Sequence, residues 1–410
     1  MQTQLSPEFK DTEDGRAAEA ILRKCVHCGL CNATCPTYQV AGDERDGPRG
    51  RIYLIKQVLE GGPASRITQG HLDRCLTCRN CETTCPAGVE YGALLDIGRR
   101  LVDERVPRPA PERARRWLLR EGLTSPWFRP AVALGRTLAP WLPRSLVAPL
   151  AGAAKPASSA FPTTAHARRM LMLTGCVQPA LRPSIGLATA RVLDVARIQT
   201  VRMPAAGCCG AVRSHLGDEQ GARADMRRNI DAWWPVLAAN DAEAIVIDGS
   251  ACALMVKGYG AALDDDPAYR DKATRVSELA RDVSELLPEL VPQLAGRIRP
   301  EAAGPLTFHP PCTLQHGQRL RNGVEPHLRT LGFAVTAPPE DVHLCCGSAG
   351  TYSVLQPAMA RELRSRKVAT LEVRGPQTII SANIGCIQHL QAGTEIPVRH
   401  WIEVLADAVS

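Results

Sequence analysis

The chain has 410 residues, 45% of them hydrophobic but only 4% aromatic, and a formal net charge of +7. This length exceeds the size at which one hydrophobic core usually divides, so two or three domains are expected. No run of about 18 apolar residues is free of charge, and the first residues lack the basic and apolar segments of a secretory signal, which argues against a membrane-spanning or exported protein.

Half of the 16 cysteines lie in two motifs of identical spacing, CVHCGLCNATCP over 25–36 and CLTCRNCETTCP over 75–86. In the reducing cytoplasm expected for this chain, metal or redox chemistry explains them better than disulfides. In each motif three thiols at steps of three can surround one cluster, and in two-cluster ferredoxins the fourth, followed by proline, binds the other cluster. The motifs therefore predict two 4Fe–4S clusters with crossed ligands. Cys25, Cys28, Cys31 and Cys85 would hold the first, and Cys75, Cys78, Cys81 and Cys35 the second.

Between the motifs, residues 49–62 carry apolar residues at helical spacing and end in a glycine pair, which predicts a helix. Such a helix would hold the two cysteine loops at a fixed distance. Structural zinc favours two separated C-x-x-C pairs, so zinc in these motifs is a weak alternative. Each cluster with four thiolates carries a charge of about −2, which lowers the formal charge of the chain from +7 to about +3.

Residues 99–165 are rich in proline and arginine and form a predicted helical connector. Ten of the 32 prolines lie within 99–162, and 99–144 holds eleven arginines, no lysine and four acidic residues. Frequent proline excludes one long helix, so short helices and extended links are predicted. The segment is interpreted either as a packed connector or as a basic surface for a membrane face or a partner subunit. Its interleaved aromatic residues are Trp117, Trp127, Phe128 and Trp141.

The rest of the chain is an internal duplication, with halves at 166–300 and 301–410. Corresponding cysteines are 136, 137 and 134 residues apart, and one offset kept at three landmarks indicates a repeat. In each half, β-branched runs alternate with helical patterns, and each cysteine follows the carboxyl end of a predicted strand, the edge at which α/β sheets gather ligands. The four-cysteine sets are Cys176, Cys208, Cys209 and Cys252 in the first half, and Cys312, Cys345, Cys346 and Cys386 in the second.

The expected fold is therefore an α+β multidomain protein. An α-helical ferredoxin-type domain with two 4Fe–4S clusters (1–98) and the connector precede two duplicated α/β cysteine-rich (CCG) domains with mainly parallel sheets. Neither a G-x-G-x-x-G after a strand nor a phosphate-binding loop is present, so the electron donor is expected on another chain. The connector arginines lack the register of a nucleic-acid-binding motif, so no nucleic acid is expected.

This order of motifs resembles the iron–sulfur subunits of flavin-linked dehydrogenases, which include glycolate oxidase (glycolate dehydrogenase), anaerobic glycerol-3-phosphate dehydrogenase and heterodisulfide reductase B-type proteins. The similarity is greatest to the glycolate oxidase iron–sulfur subunits. The stretches that carry it are GCCGAVRSHL (207–216), HLCCGSAGTYSVLQPAMA (343–360), SANIGCIQHL (381–390) and VRHWIE (398–403).

The resemblance implies a complex with FAD-containing subunits that oxidise glycolate, and also D-lactate, to the 2-oxo acid. Electrons would pass singly through the clusters of this chain to a quinone-type acceptor. The resemblance leaves open whether the chain also makes a peripheral contact with the inner face of the cell membrane. This chain would carry electrons, and no residue of it would be catalytic for substrate oxidation. The alternatives are the equivalent subunit for glycerol 3-phosphate or lactate, and a thiol–disulfide redox protein.

One departure from the resemblance concerns the cysteine-rich domains. The full pattern ends in C-x-x-C and supplies five thiols, but Gly249 and Asn383 stand at the fifth positions. Four thiols per domain leave open an additional cluster or a metal-free redox site. His309, His316 and His343 lie near these cysteines and are interpreted as ordinary loop histidines.

Overall fold

The computed structural model describes residues 1–138, 141 and 160–409 of the chain. It shows a helical module, two connector helices and two α/β units, which confirms the α+β multidomain class. The predicted connector sequence at 139–140 and 142–159 lies outside the described residues.

The N-terminal module is built from helices whose starts are specified locally. Thr12 accepts a hydrogen bond from the Gly15 amide at 3.0 Å, and Ser65 caps a later helix through the Thr68 amide at 3.1 Å. The helix predicted over 49–62 is confirmed as α5. The helices are α1 (Pro7–Lys10), α2 (Glu13–Lys24), α3 (Leu30–Ala33), α4 (Pro36–Ala41), α5 (Pro48–Leu59), α6 (Arg66–Asp73), α7 (Asn80–Thr84) and α8 (Tyr91–Arg105).

Helices α5 and α8 form the centre of this module. Gly98 of α8 lets them approach closely, because a Cβ there would lie 2.5 Å from Ile55 Cγ1 of α5. The side chains between them include Leu59, Leu94 and Leu95, all fully buried. Helix α8 runs through the predicted boundary at 98–99, and the predicted domain boundaries remain predictions.

The connector forms α9 (Ala110–Thr124) and α10 (Phe128–Leu138), which agrees with short helices separated at prolines. Arg136 donates to the Leu181 carbonyl at 2.8 Å, and Arg116 pairs with Asp73 at 3.1 Å. The connector thus packs against both the helical module and the first α/β unit. Among the described residues of α9, none is buried.

The first α/β unit contains a parallel four-stranded sheet in the order β2-β1-β3-β4. Its strands are β1 (Arg168–Met172), β2 (Ile198–Arg202), β3 (Ala244–Ile247) and β4 (Ala280–Asp282). Its helices are α11 (Val177–Leu181), α12 (Pro183–Val195), α13 (Ala211–His215), α14 (Glu219–Ala238), α15 (Ser250–Lys257), α16 (Tyr259–Ala262), α17 (Arg270–Leu279) and α18 (Leu287–Leu294).

The second unit repeats this topology as β6-β5-β7-β8, again all parallel, as the predicted duplication requires. Its strands are β5 (Leu306–His309), β6 (Val335–Thr336), β7 (Thr378–Ser381) and β8 (Val398–His400). Its helices are α19 (Glu325–Thr330), α20 (Tyr352–Leu355), α21 (Pro357–Glu372), α22 (Ile384–Gln391) and α23 (Trp401–Ala408), with a π-helical turn at Thr313–Gly317.

The two α/β units share one hydrophobic core, to which Val246 and Leu287 contribute from the first unit and Phe308 and Trp401 from the second. Ser250 joins the units at the carboxyl ends of their strands, because its amide donates to the Ala382 carbonyl at 3.1 Å. The cysteine-bearing edges of the two sheets are therefore held against each other. None of the helices in the described ranges is long and apolar enough to cross a membrane.

Candidate metal centres

The first set of predicted ligands surrounds one cavity. Cys25, Cys28 and Cys31 line it together with Cys85 of the second motif, and Cys81 also reaches its wall. Burial, followed by the neighbouring thiols of Cys25, Cys85 and Cys28, raises the pKa of Cys31 to about 11. None of the described residues that line this cavity is acidic. The donor set is therefore sulfur, which suits iron–sulfur chemistry.

The second set is more deeply buried. Burial raises the pKa of Cys81 well above its ordinary value, and the neighbouring thiols of Cys78, Cys75 and Cys35 raise it further. Cys35 Sγ also lies 3.7 Å from the Asp46 carbonyl oxygen, in a buried contact. Four thiolates in such a place need a cationic core, and bound metal reverses the preference for the neutral thiol. Because each set offers four thiols, the residues of both sets fit 4Fe–4S clusters.

Both cysteine loops curl by the same backbone device. The φ angles are positive at His27 (58°) and Gly29 (85°), and again 50 residues later at Thr77 (53°) and Arg79 (58°). A left-handed residue other than glycine costs about 1–2 kcal/mol, so three such residues are held there by their surroundings. In the second loop the Thr77 amide donates to Cys75 Sγ at 3.5 Å.

A buried arginine and a tyrosine flank the second set. The Tyr91 hydroxyl donates to Cys75 Sγ at 3.5 Å. Arg51 is only 1% exposed and donates to the His71 carbonyl at 2.8 Å. Burial alone would lower the pKa of Arg51, but Cys75, Tyr91 and Cys35 hold it above its ordinary value. Arg51 is thus a permanent cation that offsets negative charge at this set.

The second set lies against the second α/β unit. Asn80 donates to the His343 carbonyl at 3.2 Å, and Tyr352 donates to the Arg74 carbonyl at 3.2 Å. Leu76 packs with Cys345, and the Cys312 thiol is among the groups that raise the pKa of Cys78 after burial itself. The buried thiols of the helical module and those of the second unit are therefore neighbours.

Each α/β unit brings its four cysteines together at the carboxyl edge of its sheet. In the first unit Cys176 Sγ lies 3.4 Å from Cys208 Sγ, and the thiols of Cys208 and Cys252 are among the groups that raise the pKa of Cys209. In the second unit Cys312 Sγ lies 3.9 Å from Cys345 Sγ, and the Sγ atoms of Cys346 and Cys386 lie within 4.8 Å of each other. In each order of strands the connection reverses between the two central strands, where ligand sites of α/β sheets occur.

The fifth positions of the cysteine-rich pattern carry no thiol, and the five-thiol cluster does not fit the residues present. A Cβ at Gly249 would lie 3.9 Å from Cys252 Sγ, so the position is close to the thiols but empty of a donor. Asn383 is used structurally, because its Oδ1 accepts from the Gly385 amide at 2.9 Å and its Nδ2 donates to Ser250 Oγ at 3.3 Å.

Two of the three histidines differ from the loop histidines that the sequence suggested. His309 is the last residue of β5, and His316 lies in the π-helical turn; both are buried. His309 lies beside Cys346 and Cys386, with one ring nitrogen and the two Sγ atoms all within 4.8 Å of one another. A comparison of the two halves of the duplication could have drawn attention to it, because the first half has Leu173 at the same offset as His309.

Comparisons with known proteins agree with this architecture. The family model for the 4Fe–4S dicluster domain matches residues 21–89, and the model for the cysteine-rich domain matches 170–257 and again 306–391. The chain is 51% identical to the glycolate oxidase iron–sulfur subunit of Escherichia coli (strain K12), over 100% of this chain and 99% of that protein. The chain belongs to the glycolate oxidase iron–sulfur subunit family.

More distant relatives extend this relationship. A probable glycolate oxidase iron–sulfur subunit of Bacillus subtilis (strain 168) is 28% identical over 96% of this chain and 92% of its own length. Lactate utilization protein A of Exiguobacterium sp. is 25% identical over 57% of this chain and 95% of its own length. Membership of the glycolate oxidase iron–sulfur subunit family confirms the prediction of an oxidoreductase subunit with a dicluster module and two cysteine-rich domains. The individual cluster ligands stay predictions.

Proposed function

We propose that this chain is the electron-transfer subunit of a flavin-linked glycolate dehydrogenase, which acts on glycolate and also on D-lactate. It would accept electrons from FAD on partner subunits and deliver them to a quinone-type acceptor. When bound, a 4Fe–4S cluster accepts and releases one electron at a time. The observation that carries the proposal is the pair of four-thiol sets, shared crosswise between two loops of one small module.

Eight cysteines are the proposed cluster ligands. The crossed division is supported by which thiols neighbour each other, because Cys85 acts on Cys31 and Cys35 acts on Cys81. The two sets adjoin, since Cys81 and Tyr91 also border the first cavity. The proposed sets are Cys25, Cys28, Cys31 and Cys85, and Cys75, Cys78, Cys81 and Cys35. A further centre in the cysteine-rich domains is part of the proposal.

The first set is the proposed point of electron exchange with a partner protein. Cys28 is exposed, Val26 (72% exposed) and Leu30 (55%) line the same cavity, and the ring of Tyr53 (49%) lies 6.1 Å from that of His27. Exposed apolar residues grouped at one place favour protein docking. The second set instead faces the interior, against the second cysteine-rich domain, so a partner reaches the clusters from the side of the first set.

The connector is the proposed peripheral contact of the complex, at the inner face of the cell membrane in the cytoplasm. Trp117 (56% exposed) and Trp127 (76%) project from the connector. Some of the arginines beside them already bond to other residues of this chain. Arg116 pairs with Asp73, and Arg115 donates to the Val354 carbonyl. The apolar side chains are therefore the part of this surface left for another molecule, and amphipathic surfaces of this kind bind at membrane interfaces.

The experiment that tests the function compares the complex with and without this chain. The anaerobically purified complex should contain about eight irons in this subunit and reduce quinone with glycolate. Without the chain, the flavoprotein subunits should still reduce a dye with glycolate but should lose quinone reduction. Quinone reduction at an unchanged rate without the chain would contradict the proposal. Copurification with a lactate-specific dehydrogenase would favour the alternative that the lactate utilization relatives suggest.

A further inference from the structure

The second cysteine-rich unit contains a buried histidine among its thiols. His309 is 1% exposed, and one of its ring nitrogens and the Sγ atoms of Cys346 and Cys386 all lie within 4.8 Å of one another. The Nδ1 atom is hydrogen-bonded to Ser381 Oγ at 3.0 Å. The Nε2 atom is buried without a hydrogen-bond partner among the described residues. Nε2 is thus the nitrogen that a ligand can still engage.

An unpartnered buried nitrogen is costly. Leaving a buried donor or acceptor unsatisfied costs about 1–3 kcal/mol, and native proteins rarely do so without a reason. Histidines that bind metal commonly hydrogen-bond through the other ring nitrogen, which fixes the orientation of the ring. The contact between Ser381 and Nδ1 has this arrangement.

The duplication shows that the fold itself does not require this histidine. His309 and Ser381 are opposite each other on adjacent strands. At the same offsets of 136 and 134 residues, the first unit has Leu173 and Ile247, which are buried at 2% and 1% exposure. The first unit has an apolar pair where the second has an imidazole–hydroxyl pair. The difference indicates that the polar pair serves a function of the second unit and not its fold.

We propose that the second cysteine-rich unit binds a single divalent metal ion of the zinc class through His309 Nε2, Cys346 and Cys386, with Cys345 as the fourth ligand. Zinc–sulfur and zinc–nitrogen bonds in a tetrahedral site place the donor atoms about 3.5–3.8 Å apart. Donors grouped within 4.8 Å of one another suit one ion better than a cubane, whose irons separate the ligands. Cys345 precedes Cys346 in the chain, and its thiol interacts with that of Cys346. It lies next to the group of three donors formed by His309, Cys346 and Cys386.

Charge balance supports this assignment. Lys367 is 2% exposed, donates to the Asp341 carbonyl at 2.5 Å, and interacts electrostatically with Cys346 and Cys345. The positive charges of one divalent ion and one ammonium group offset those of three thiolates, so the buried centre is formally neutral. Buried charges in proteins are stable when they are paired in this way. This site does not depend on electron transfer through the helical module.

The test measures zinc and iron in the full-length chain purified under anaerobic, reducing conditions. We expect one zinc per chain beside the iron of the helical module, and a zinc X-ray absorption spectrum with three sulfur ligands and one nitrogen. His309→Leu, which copies the first unit, should weaken zinc retention against a chelator at least tenfold and leave the iron content unchanged.

Two further variants separate ligation from folding. His309→Cys should retain zinc with a fourth sulfur in place of the nitrogen, and His343→Asn, in the same unit, should keep the original shell. The proposal is overturned if wild-type protein binds no zinc after one equivalent is added. It is also overturned if either His309 variant keeps three sulfurs and one nitrogen, or if about four extra irons occupy the unit. Zinc without iron would contradict the proposed function only, and iron without zinc would contradict this site only.

Discussion

Tyr91 is a side chain that contacts a sulfur atom of the second proposed cluster directly. Its hydroxyl donates to Cys75 Sγ at 3.5 Å in a buried setting. Hydrogen bonds to sulfur stabilise the reduced, more negative cluster and raise its potential. One hydrogen bond contributes about 0.5–1.5 kcal/mol, which is about 20–60 mV for a single electron. Tyr91→Phe should therefore lower the potential of the second cluster by about this amount in a redox titration followed by EPR.

Tyr53→Phe is the matched control, because Tyr53 is 49% exposed beside the first set. It removes the same hydroxyl and should leave the potential of the second cluster unchanged. A potential that stays constant in Tyr91→Phe, or that shifts equally in both variants, would show that this hydroxyl does not act on the cluster sulfur.

The crossed ligand assignment can be tested at Cys35 and Cys85. Cys35 neighbours Cys78 and Cys81, while Cys85 lines the cavity of Cys25. Cys35→Ser should therefore weaken or remove the EPR signal of the buried second cluster, and Cys85→Ser that of the exposed first cluster. The exposed cluster is recognised by its faster reaction with a soluble oxidant. Loss confined to the cluster of the mutated motif would instead support uncrossed ligands.

At the scale of elements, the glycine of each Cys-Cys-Gly triplet holds the turn that presents the thiols. Gly210 and Gly347 have φ angles of 92° and 89°. A Cβ would lie 3.0 Å from the Ala222 carbonyl oxygen at Gly210, but 2.7 Å from the Ala360 carbonyl oxygen at Gly347. Alanine costs about 1–2 kcal/mol for the left-handed backbone at either position, and overpacking adds about 1–3 kcal/mol at Gly347.

Thermal unfolding followed by circular dichroism should rank these variants. Gly347→Ala should unfold at the lowest temperature and Gly210→Ala between it and wild type. Gly122→Ala is the control, because Gly122 lies inside α9 with nothing within 4 Å of a new Cβ. That change should leave the midpoint equal or slightly higher, since alanine favours a helix by about 1 kcal/mol over glycine. A midpoint for Gly210→Ala below that of Gly347→Ala would refute the packing argument.

Much of the architecture follows from patterns that the sequence displays directly. The repeated cysteine spacing and the three β-branched runs per half predicted the two units, because buried parallel strands read as short apolar runs. Strands β4 and β8 were not predicted. They are three residues long, read ARD and VRH, and lie at sheet edges where little apolar sequence is needed.

The parts of the site that the sequence did not predict depend on tertiary contacts. Asn383 occupies the position of a missing thiol, but its role as a helix cap that also bonds to Ser250 requires the other unit. His309 stands next to two prolines and therefore looked like a loop residue, yet it completes a buried strand. Its neighbours Cys346 and Cys386 are distant in sequence, so only the fold brings these three donors together.

At the scale of the whole molecule, the helical module is held on the second cysteine-rich unit by a small set of polar contacts. Asn80 and Thr83 of α7 contact the unit, the first through the His343 carbonyl and the second through His316 Nδ1 at 2.9 Å. His316 Nε2 donates to the His343 carbonyl at 2.9 Å, so the ring is neutral and uses both nitrogens. Protonation would place a charge on this buried ring and turn Nδ1 into a donor. The Thr83 hydroxyl, which also donates to the Asn80 carbonyl at 3.0 Å, would then have to accept from the ring, so the contact would have to rearrange.

The protonation of His316 should therefore make this attachment sensitive to pH. Burial is the main cause that lowers the pKa of His316 to about 4; Arg321, His343 and Lys367 act in the same direction, and the hydrogen bond to the His343 backbone acts against it. Because the folded pKa lies below the unfolded value of 6.5, this stabilisation is complete above pH 6.5 and is lost as the pH falls towards 4. Linkage gives a loss of about 2 kcal/mol between pH 7.5 and pH 5.

His316→Gln removes this titration while keeping a donor for the His343 carbonyl. At pH 5, hydrogen exchange in α7 should be faster in wild type than in His316→Gln, and the two should converge at pH 7.5. His389→Gln is the control, because burial also lowers the pKa of His389 to about 4 but its ring bonds to the Ala360 carbonyl, away from α7. If His389→Gln protected α7 equally at pH 5, the effect would be a general change in stability, because of these two histidines His316 contacts α7 and His389 bonds to the Ala360 carbonyl.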